Sequence, residues 1–318
     1  MAHLRPLALQ VLHVLCVSCA YAQSADSATA APGPWVESAR TTARNSAEWL
    51  ARRVDSWFGD QPFEQGGSVT EGRVSLRLFH RPDQDTDVDL RFDARFRLPN
   101  LEKYAYVFVG RDKASEAIQD TAAARANQQP LQARRDVEER SFLAGLGLAL
   151  PNDIDFRVGL SGRLKPYVQA RYSHVWGLTD TQSLYFRETV FWTSADRLGA
   201  TTSLSYEMNF SPALSLRWLN VGTVTQAAKQ LEWSSTLGLY RSFGQQRVLG
   251  LELLRNGTLV EGGAVGKSDR GWLVKWEQPV YHDWLLAEVV AGQFWPRPLA
   301  GAPRERAWAL GAGLRMHF

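Results

Sequence analysis

Apolar and polar residues alternate with a period of two along most of the chain, and residues 86–98 show the pattern most clearly. The apolar positions of this stretch are Val88, Leu90, Phe92, Ala94, Phe96 and Leu98. The charged positions between them are Asp89, Arg91, Asp93, Arg95 and Arg97. Successive side chains of a strand point to opposite faces, so the pattern predicts a strand with one apolar and one charged face. A water-soluble sheet would bury the apolar face, whereas a membrane barrel turns it outward and the charged face inward.

The same alternation predicts fourteen short strands between residue 73 and the last residue. Their ranges are 73–81, 86–98, 104–111, 141–150, 154–164, 166–176, 185–192, 201–210, 213–222, 231–240, 247–255, 271–280, 283–295 and 307–318. A strand covered on both faces would be a continuous apolar run, and these strands are not. We therefore predict an all-β fold, a transmembrane antiparallel up-and-down β-barrel of about 14 strands with a short N-terminal helix. Twelve strands are the alternative, if short loops hide or merge a pair.

Loop lengths alternate between the predicted strands. The odd-numbered connections include the long segments 112–138, 256–269 and 296–305, whereas the even-numbered connections are short turns. Bacterial outer-membrane barrels have long extracellular loops and short periplasmic turns. The alternation therefore favours a barrel over a sandwich and predicts that the barrel begins and ends on the periplasmic side.

Residues 1–22 have the pattern of a secretory signal peptide. Arg5 precedes an apolar stretch that ends in the small-x-small cleavage site Ala20-Tyr21-Ala22. The alternatives are an N-terminal core helix and a lipoprotein signal at Cys19. Both cysteines, Cys16 and Cys19, lie in this segment. The mature chain is therefore predicted to have no disulfide, no thiolate nucleophile and no cysteine metal ligand.

Residues 23–67 are predicted to form a periplasmic segment that precedes the barrel at 68–318. Apolar residues recur at steps of three and four from 35 to 58, which predicts an amphipathic helix. Three placements of this helix are open. It packs against the periplasmic mouth of the barrel, it enters the lumen as a plug, or it lies on the membrane surface with Trp49, Trp57 and Phe58 among the headgroups.

Composition agrees with this fold and excludes some partners. The chain has 36 Lys and Arg against 33 Asp and Glu, a near balance that gives no indication of nucleic-acid binding. The mean hydropathy is −0.27, which a barrel can have because half of each strand is polar. The 12 tryptophans are typical of a barrel with aromatic girdles at the lipid headgroups.

Charged residues on the polar faces of the strands are predicted to line the lumen. They are Asp89, Arg91, Asp93, Arg95, Arg97, Asp155, Arg157, Glu188, Glu207, Arg217, Glu232, Glu252, Lys275, Glu288 and Arg315. Buried charge must be paired or hydrated, so we expect a network of ion pairs and water. Glu188 shares a face with Val190, but a carboxylate that faces lipid is costly, so we expect Glu188 to face a filled lumen.

Catalytic and metal-binding patterns are scarce. The histidines beyond the signal segment are His80, His174, His282 and His317, and none lies at a telling spacing from a serine and an asparagine. Neither an EF-hand loop nor a glycine-rich phosphate loop occurs in the sequence. We therefore expect no enzyme activity, no cofactor and no metal. An outer-membrane lipid-modifying enzyme is the least favoured of the functions considered.

The last strand, from 307 to 318, resembles the terminal strand of Gram-negative outer-membrane proteins, in which alternating apolar residues end in Phe. Its apolar positions include Trp308, Leu310, Leu314, Met316 and Phe318. The resemblance implies that the barrel-assembly machinery binds this strand as its signal. The segments RFRLPNLEK, RETVFW and YHDWLLAEV, with the terminal Phe, look like a family of uncharacterised proteobacterial outer-membrane proteins. That resemblance implies a fold and a location in the cell envelope, and no activity.

We expect a porin-like protein of the cell outer membrane that acts as a narrow or plugged conduit for small polar solutes. The alternative is a non-conducting envelope scaffold or surface-binding barrel that acts through its long extracellular loops. The expected partners are outer-membrane lipid, the barrel-assembly machinery and a small polar solute, and no nucleic acid.

Overall fold

The structure, a computed structural model, describes residues 34–55, 68–97, 104–113, 118–120, 140–162, 164–260 and 265–318. The predicted signal peptide, 1–22, lies outside the described residues, as do the segments that flank the helix, 23–33 and 56–67. The chain divides into two compact units, Met1–Ser38 and Ala39–Phe318. The second unit contains most of the helix and every strand.

Fourteen strands follow one helix in chain order. The helix α1 spans Pro34–Asp55. The strands are β1 Ser68–His80, β2 Asp87–Arg97, β3 Ala105–Lys113, β4 Arg140–Leu150, β5 Ile154–Ser161, β6 Lys165–Thr179, β7 Gln182–Thr193, β8 Arg197–Ser211, β9 Leu214–Thr225, β10 Gln230–Ser242, β11 Val248–Val260, β12 Val265–Tyr281, β13 Leu285–Phe294 and β14 Ala307–His317.

The strands form a closed antiparallel barrel in which each strand pairs with the next. The first and last strands close the barrel, with a register from Arg73 opposite His317 to His80 opposite Leu310. The predicted fold class is therefore confirmed with 14 strands, and the alternative of twelve is wrong. Each strand overlaps a stretch that the period-two alternation predicted. The alternation is visible in the sequence because successive side chains of each strand face the apolar outside and the polar inside in turn.

The two ends of the barrel differ in their connections. We call the end where β1 begins and β14 ends the terminal end, and the opposite end the loop end. Turns of two residues, at 180–181 and 212–213, join strands at the terminal end. The longest connections, 114–139 and 295–306, lie at the loop end. The predicted long connection 256–269 is wrong, because Asn256 and Gly257 pair with Asp269 and Ser268 and extend the β11–β12 ladder.

The outer face of the barrel is apolar and the inner face is polar. Outward side chains include Val158, Leu253 and Leu310, which are all more than half exposed. Inward positions on β7–β10 include hydroxyl side chains that are almost completely buried, such as Thr189, Thr201 and Thr236. A sheet in water would show the reverse arrangement, so this barrel needs an apolar surrounding on its outside.

Helix α1 packs against the outer wall with its C-terminal half. Ala47 and Ala51, which are fully buried, form a hydrophobic cluster with outward side chains of β2 and β3. The outward members of the cluster are Ala94, Phe96, Val107 and Val109. The predicted placement of the helix as a lumenal plug is therefore wrong for residues 39–55. The described helix also ends at Asp55, and its predicted end at 58 lies outside the described residues.

Among the described residues, no helix combines the length and the apolar character that a membrane-crossing helix requires.

Arg81, which follows β1, contacts residues of β12 and β13 at the loop end. Its guanidinium donates hydrogen bonds to Asp83 (Nε–Oδ1 2.6 Å) and to Asp269 (Nη1–Oδ2 2.6 Å), and it lies 5.0 Å from the Phe294 ring centroid. Burial by itself would lower the pKa of Arg81. The hydrogen bonds and charges of Asp83 and Asp269 outweigh burial and raise that pKa, so this clamp keeps its positive charge.

Candidate functional site

The strand register places fourteen of the fifteen predicted lumenal residues on inward positions. Apolar side chains fill the interior near the loop end. Between them and the terminal end, charged side chains face the interior, and we call these charged side chains the lumenal belt. The belt consists of residues that alternate with exposed outward side chains along each strand, as Arg157 alternates with Phe156 and Val158. The belt begins on the terminal side of the two apolar clusters that occupy the interior at the loop end.

Ion pairs connect the acids and bases of the belt on both sides of the barrel. Arg91 Nε lies 2.6 Å from Asp89 Oδ2 on β2, and Asp89 is almost completely buried. Arg217 on β9 pairs with Glu207 on β8. These pairs join residues that stand side by side or directly across a ladder, as the register requires.

A four-residue network joins β12, β13 and β14. Lys275 Nζ lies 2.6 Å from Glu288 Oε2 and 3.7 Å from Glu277 Oε2. Arg315 Nη2 lies 3.4 Å from the same oxygen of Glu277 and 3.9 Å from Glu288 Oε2. Two acids and two bases thus neutralise one another, as buried charges must.

Tyr106 is the centre of a second network, on β3 and β5. Its hydroxyl donates to Asp155 (2.7 Å to Oδ2) and accepts from Arg157 Nε at 2.9 Å. The Tyr106 ring lies against Gly147 on β4, where a Cβ atom would lie 2.1 Å from the ring. Gly147 is therefore required by the close approach of this ring. Arg95 stacks on the same ring, with its Cζ 4.6 Å from the centroid.

Residues Ile118–Asp120, from the connection between β3 and β4, lie inside the barrel and are buried. Asp120 Oδ2 lies 2.7 Å from Arg171 Nε and 3.6 Å from Arg187 Nη1, and it accepts a hydrogen bond from Thr189 at 3.1 Å. Gln169 Nε2 donates to the carbonyl of Ile118 at 2.6 Å. The segment therefore attaches to the inner wall of β6 and β7 and narrows the lumen.

Glu252 is the most deeply buried acid of the belt. It is 0% exposed and accepts a hydrogen bond from the Tyr240 hydroxyl at 2.7 Å. The remaining predicted lumenal residues are more accessible. Asp93 and Arg97 are exposed, whereas Glu232 is half-buried and lies between the apolar clusters and the loop end of β10.

Glu188 does not face the lumen, and its predicted inward orientation is wrong. Its strand neighbours on the same face, Val190 and Trp192, are 43% and 44% exposed, whereas the alternate residues Thr189 and Phe191 are buried inside. The ladder of β7 with β6 and β8 is continuous through this position. One side chain of an unbroken ladder cannot be turned to the other face, so the register overrides the cost of an outward carboxylate.

The belt surrounds an internal cavity of about 330 Å³. The arginines that line it on β1, β2, β5, β6, β7 and β14 are Arg73, Arg77, Arg91, Arg95, Arg157, Arg171, Arg187 and Arg315. A second cavity, of about 250 Å³, lies beside Glu207, Arg217 and Tyr240 on the other half of the wall. The acids of the belt on that half are Glu207, Glu252, Glu277 and Glu288. The lumen is therefore rich in arginine on β1–β7 and rich in glutamate on β8–β13.

Several residues that line the cavity were not predicted from the sequence. Arg171 and Arg187 lie on inward positions of β6 and β7, so the period-two pattern contained the signal for both. Asp120 had no such signal, because only the folded connection brings it to the wall.

Apolar side chains fill the interior near the loop end. One cluster joins β1 with β11–β14 and consists of Phe79, Leu254, Leu273, Val290, Phe294 and Ala309. Another packs Ile118 against Leu143, Tyr167 and Phe191. The interior is therefore not charged along its whole length, and these clusters restrict it from both sides.

The histidines lie in separate places. His80 Nδ1 is 2.9 Å from Thr86 Oγ1 at the loop end, and His174 packs against Trp176 on the outer face. His282 lies in the turn between β12 and β13, and His317 lies near the end of β14. Within the described ranges no histidine hydrogen-bonds to a serine, and no group of three or more His, Cys, Asp or Glu side chains is arranged to hold a metal ion.

The terminal strand presents its apolar residues on the outer face, as its alternation indicates. Trp308, Leu310 and Leu314 are exposed there. The Phe318 ring stacks on Phe92 with centroids 6.2 Å apart and covers Gly72, where a Cβ atom would lie 2.4 Å from the ring. Phe318 also packs against the cluster that contains Ala47 and Ala51.

Comparisons with known proteins find distant similarity in structure alone. No family model matches the sequence, and no curated protein matches it. The anion-selective porin from Comamonas acidovorans is 11% identical with a TM-score of 0.47, over 79% of this chain and 100% of that one. The outer-membrane expressed OmpT of Vibrio cholerae is 8% identical with a TM-score of 0.45, over 79% and 98%. The KdgM porin is 10% identical with a TM-score of 0.37, over 77% and 99%. Similarities this distant carry no conclusion about what the barrel binds or conducts.

Proposed function

We propose that the chain is an outer-membrane barrel that conducts small polar solutes through its charged lumen. One observation carries the proposal: a closed barrel with an apolar outside encloses a belt of ion pairs around a cavity of about 330 Å³. Charges of this number inside a barrel need water, and a hydrated path is also what a polar solute needs. Barrels of about 8 strands are filled by side chains and those of 16–18 leave an aqueous channel, so a narrow path suits this strand count.

In this proposal the terminal end is periplasmic and the loop end is extracellular. The short turns at one end and the long connections at the other support that orientation. Lipid surrounds the outer face, and the barrel-assembly machinery binds the terminal strand before insertion. The proposal includes no catalytic step, no cofactor and no nucleic-acid partner.

The test is conductance of the purified full chain in a planar lipid bilayer. We expect ohmic steps, and an Arg95→Glu variant should shift the reversal potential in a salt gradient toward that of a cation-preferring pore, because Arg95 faces the cavity. Arg255→Glu is the matched control. It makes the same charge change on the outer face beside Trp233, where the guanidinium lies 5.7 Å from the ring, and it should leave the reversal potential unchanged.

A non-conducting scaffold is the second candidate, and the apolar clusters at the loop end favour it. The two candidates differ in their prediction for the bilayer. Residues 39–55 of helix α1 pack outside the barrel, so deletion of 39–55 should leave the conductance of an open path unchanged. A bilayer that stays silent with both the full chain and the deletion variant would reject the conduit in favour of the scaffold.

A further inference from the structure

Glu188 lies at the middle of β7 on the outer face, where the proposed function places lipid. The register pairs it with Tyr172 on β6 and with Thr202 on β8. Phe186 and Val190 flank it on the same face of the strand. A carboxylate in hydrocarbon loses its hydration, so ionisable residues at this depth are rare and normally face a protein partner or a water-filled space.

Glu188 belongs to a band of polar side chains that crosses the outer face at mid-strand. Its members are Tyr172, His174, Glu188, Thr202, Asn220 and Ser235, which we call the polar band. They stand on five adjacent strands, β6–β10, and pair across the ladders, as Glu188 with Thr202 and Asn220 with Ser235. The opposite wall has no counterpart, because the outward positions of β14 are Trp308, Leu310, Ala312, Leu314 and Met316.

Contacts within one barrel leave the band with unused hydrogen-bonding capacity. Thr202 Oγ1 donates to Glu188 Oε2 at 2.7 Å, and Trp218 Nε1 donates to Ser235 Oγ at 3.0 Å. Thr202 is the only described residue that hydrogen-bonds or ion-pairs with Glu188. A carboxylate can accept about four hydrogen bonds, so a partner with donors at the same depth would stabilise it.

Small residues lie beside the polar band on the outer face. Ala170 and Ala200 occupy the outward positions on either side of Val190, and Gly222 faces Thr202 across the β8–β9 ladder. Small residues allow two protein surfaces to approach closely within a membrane, where interhelical and interstrand contacts depend on packing and hydrogen bonds.

We infer that the polar band is the contact surface for a second copy of this chain. The inference rests on the proposed function, because it needs lipid around the barrel. A two-fold axis along the membrane normal keeps every residue at its own depth, so the Glu188 carboxylate of one copy meets hydroxyl and amide donors of the other. The band carries both an acceptor and donors, and this makes it complementary to itself. Lipid chains offer no donors.

Cysteine cross-linking in intact outer membranes tests the inference, because the mature chain is predicted to have no cysteine of its own. Ala200→Cys places a thiol beside the polar band, and Ala312→Cys places one on the outer face of β14 at the far side of the barrel. After treatment with a short bis-maleimide, Ala200→Cys should form a product of twice the chain's mass, and Ala312→Cys should stay monomeric. The chain without an added cysteine controls for cleavage of the signal segment.

A second variant links the product to the carboxylate. Adding Glu188→Leu to Ala200→Cys should reduce the dimer product at least several-fold while the barrel still folds, since leucine suits lipid. Equal products from both cysteine positions, a monomeric Ala200→Cys, an undiminished dimer with Glu188→Leu, or a product of another protein's mass would each overturn the inference. Absence of the chain from the membrane fraction would instead reject the proposed function.

Discussion

Removing the hydroxyl of Tyr106 tests whether the network at β3–β5 stabilises the barrel. In Tyr106→Phe the ring stays over Gly147 and beneath Arg95, so packing is preserved and only the hydrogen bonds to Asp155 and Arg157 are lost. Hydrogen bonds to charged groups contribute about 1.5–3 kcal/mol each. Asp155 and Arg157 retain 19% and 16% of their side-chain exposure, so water can replace part of what is lost.

We therefore expect Tyr106→Phe to reduce the free energy of unfolding by about 1.5–2 kcal/mol, the low end of that range. Urea titration of the barrel in liposomes, followed by tryptophan fluorescence, measures it. Tyr167→Phe is the matched control, because Tyr167 is also buried inside the barrel but its hydroxyl has no hydrogen-bond partner among the described residues. Equal stability of Tyr106→Phe and wild type, or an equal loss in the control, would refute the reasoning.

Three further changes test other parts of the structure. Phe318→Ala should cost about 2 kcal/mol, less than the 3–5 kcal/mol of a fully buried Phe, because the ring is only partly buried; the same urea titration measures it. Asp120→Asn should shift the bilayer reversal potential toward anions, since Arg171 and Arg187 lose their counter-charge; an unchanged potential would mean that the segment lies off the conducting path. Ala51→Glu should release α1 from the outer wall and speed its cleavage by trypsin, whereas Glu at the exposed Ala39 should not.

Much of the fold was predictable because strand periodicity is a local property. Val88 and Leu90 alternate with Asp89 and Arg91, and no distant contact is needed to conclude that the stretch is a strand with two unlike faces. The same parity places Arg157 and Lys275 inside. The alternation does not mark where a ladder ends, so the β11–β12 connection at 261–264 came out much shorter than predicted.

The candidate site was predictable as far as the alternation along each strand determines which side chains face inward. Glu188 shows that this alternation, and not the energetic cost of an outward carboxylate, decides the face of a residue. Its face follows from Val190 and Trp192, and the cost of an outward carboxylate does not change the register, because neighbouring ladders hold the whole strand. The alternation in the sequence already placed Glu188 on the outer face. The prediction that it faces the lumen was wrong because it gave more weight to the cost of a carboxylate that faces lipid.

The sequence by itself determined a barrel with an apolar outside and a charged inside, the approximate position of its strands and the side of the wall on which most charges stand, because each depends on alternation along single strands. Only the tertiary structure decided what fills the interior and what covers the outside. Asp120 reaches Arg171, the apolar clusters meet at the loop end, and Ala47 docks on the outer wall through contacts between segments far apart in the chain. Such contacts depend on which residues the closed barrel brings together, and no local period encodes them.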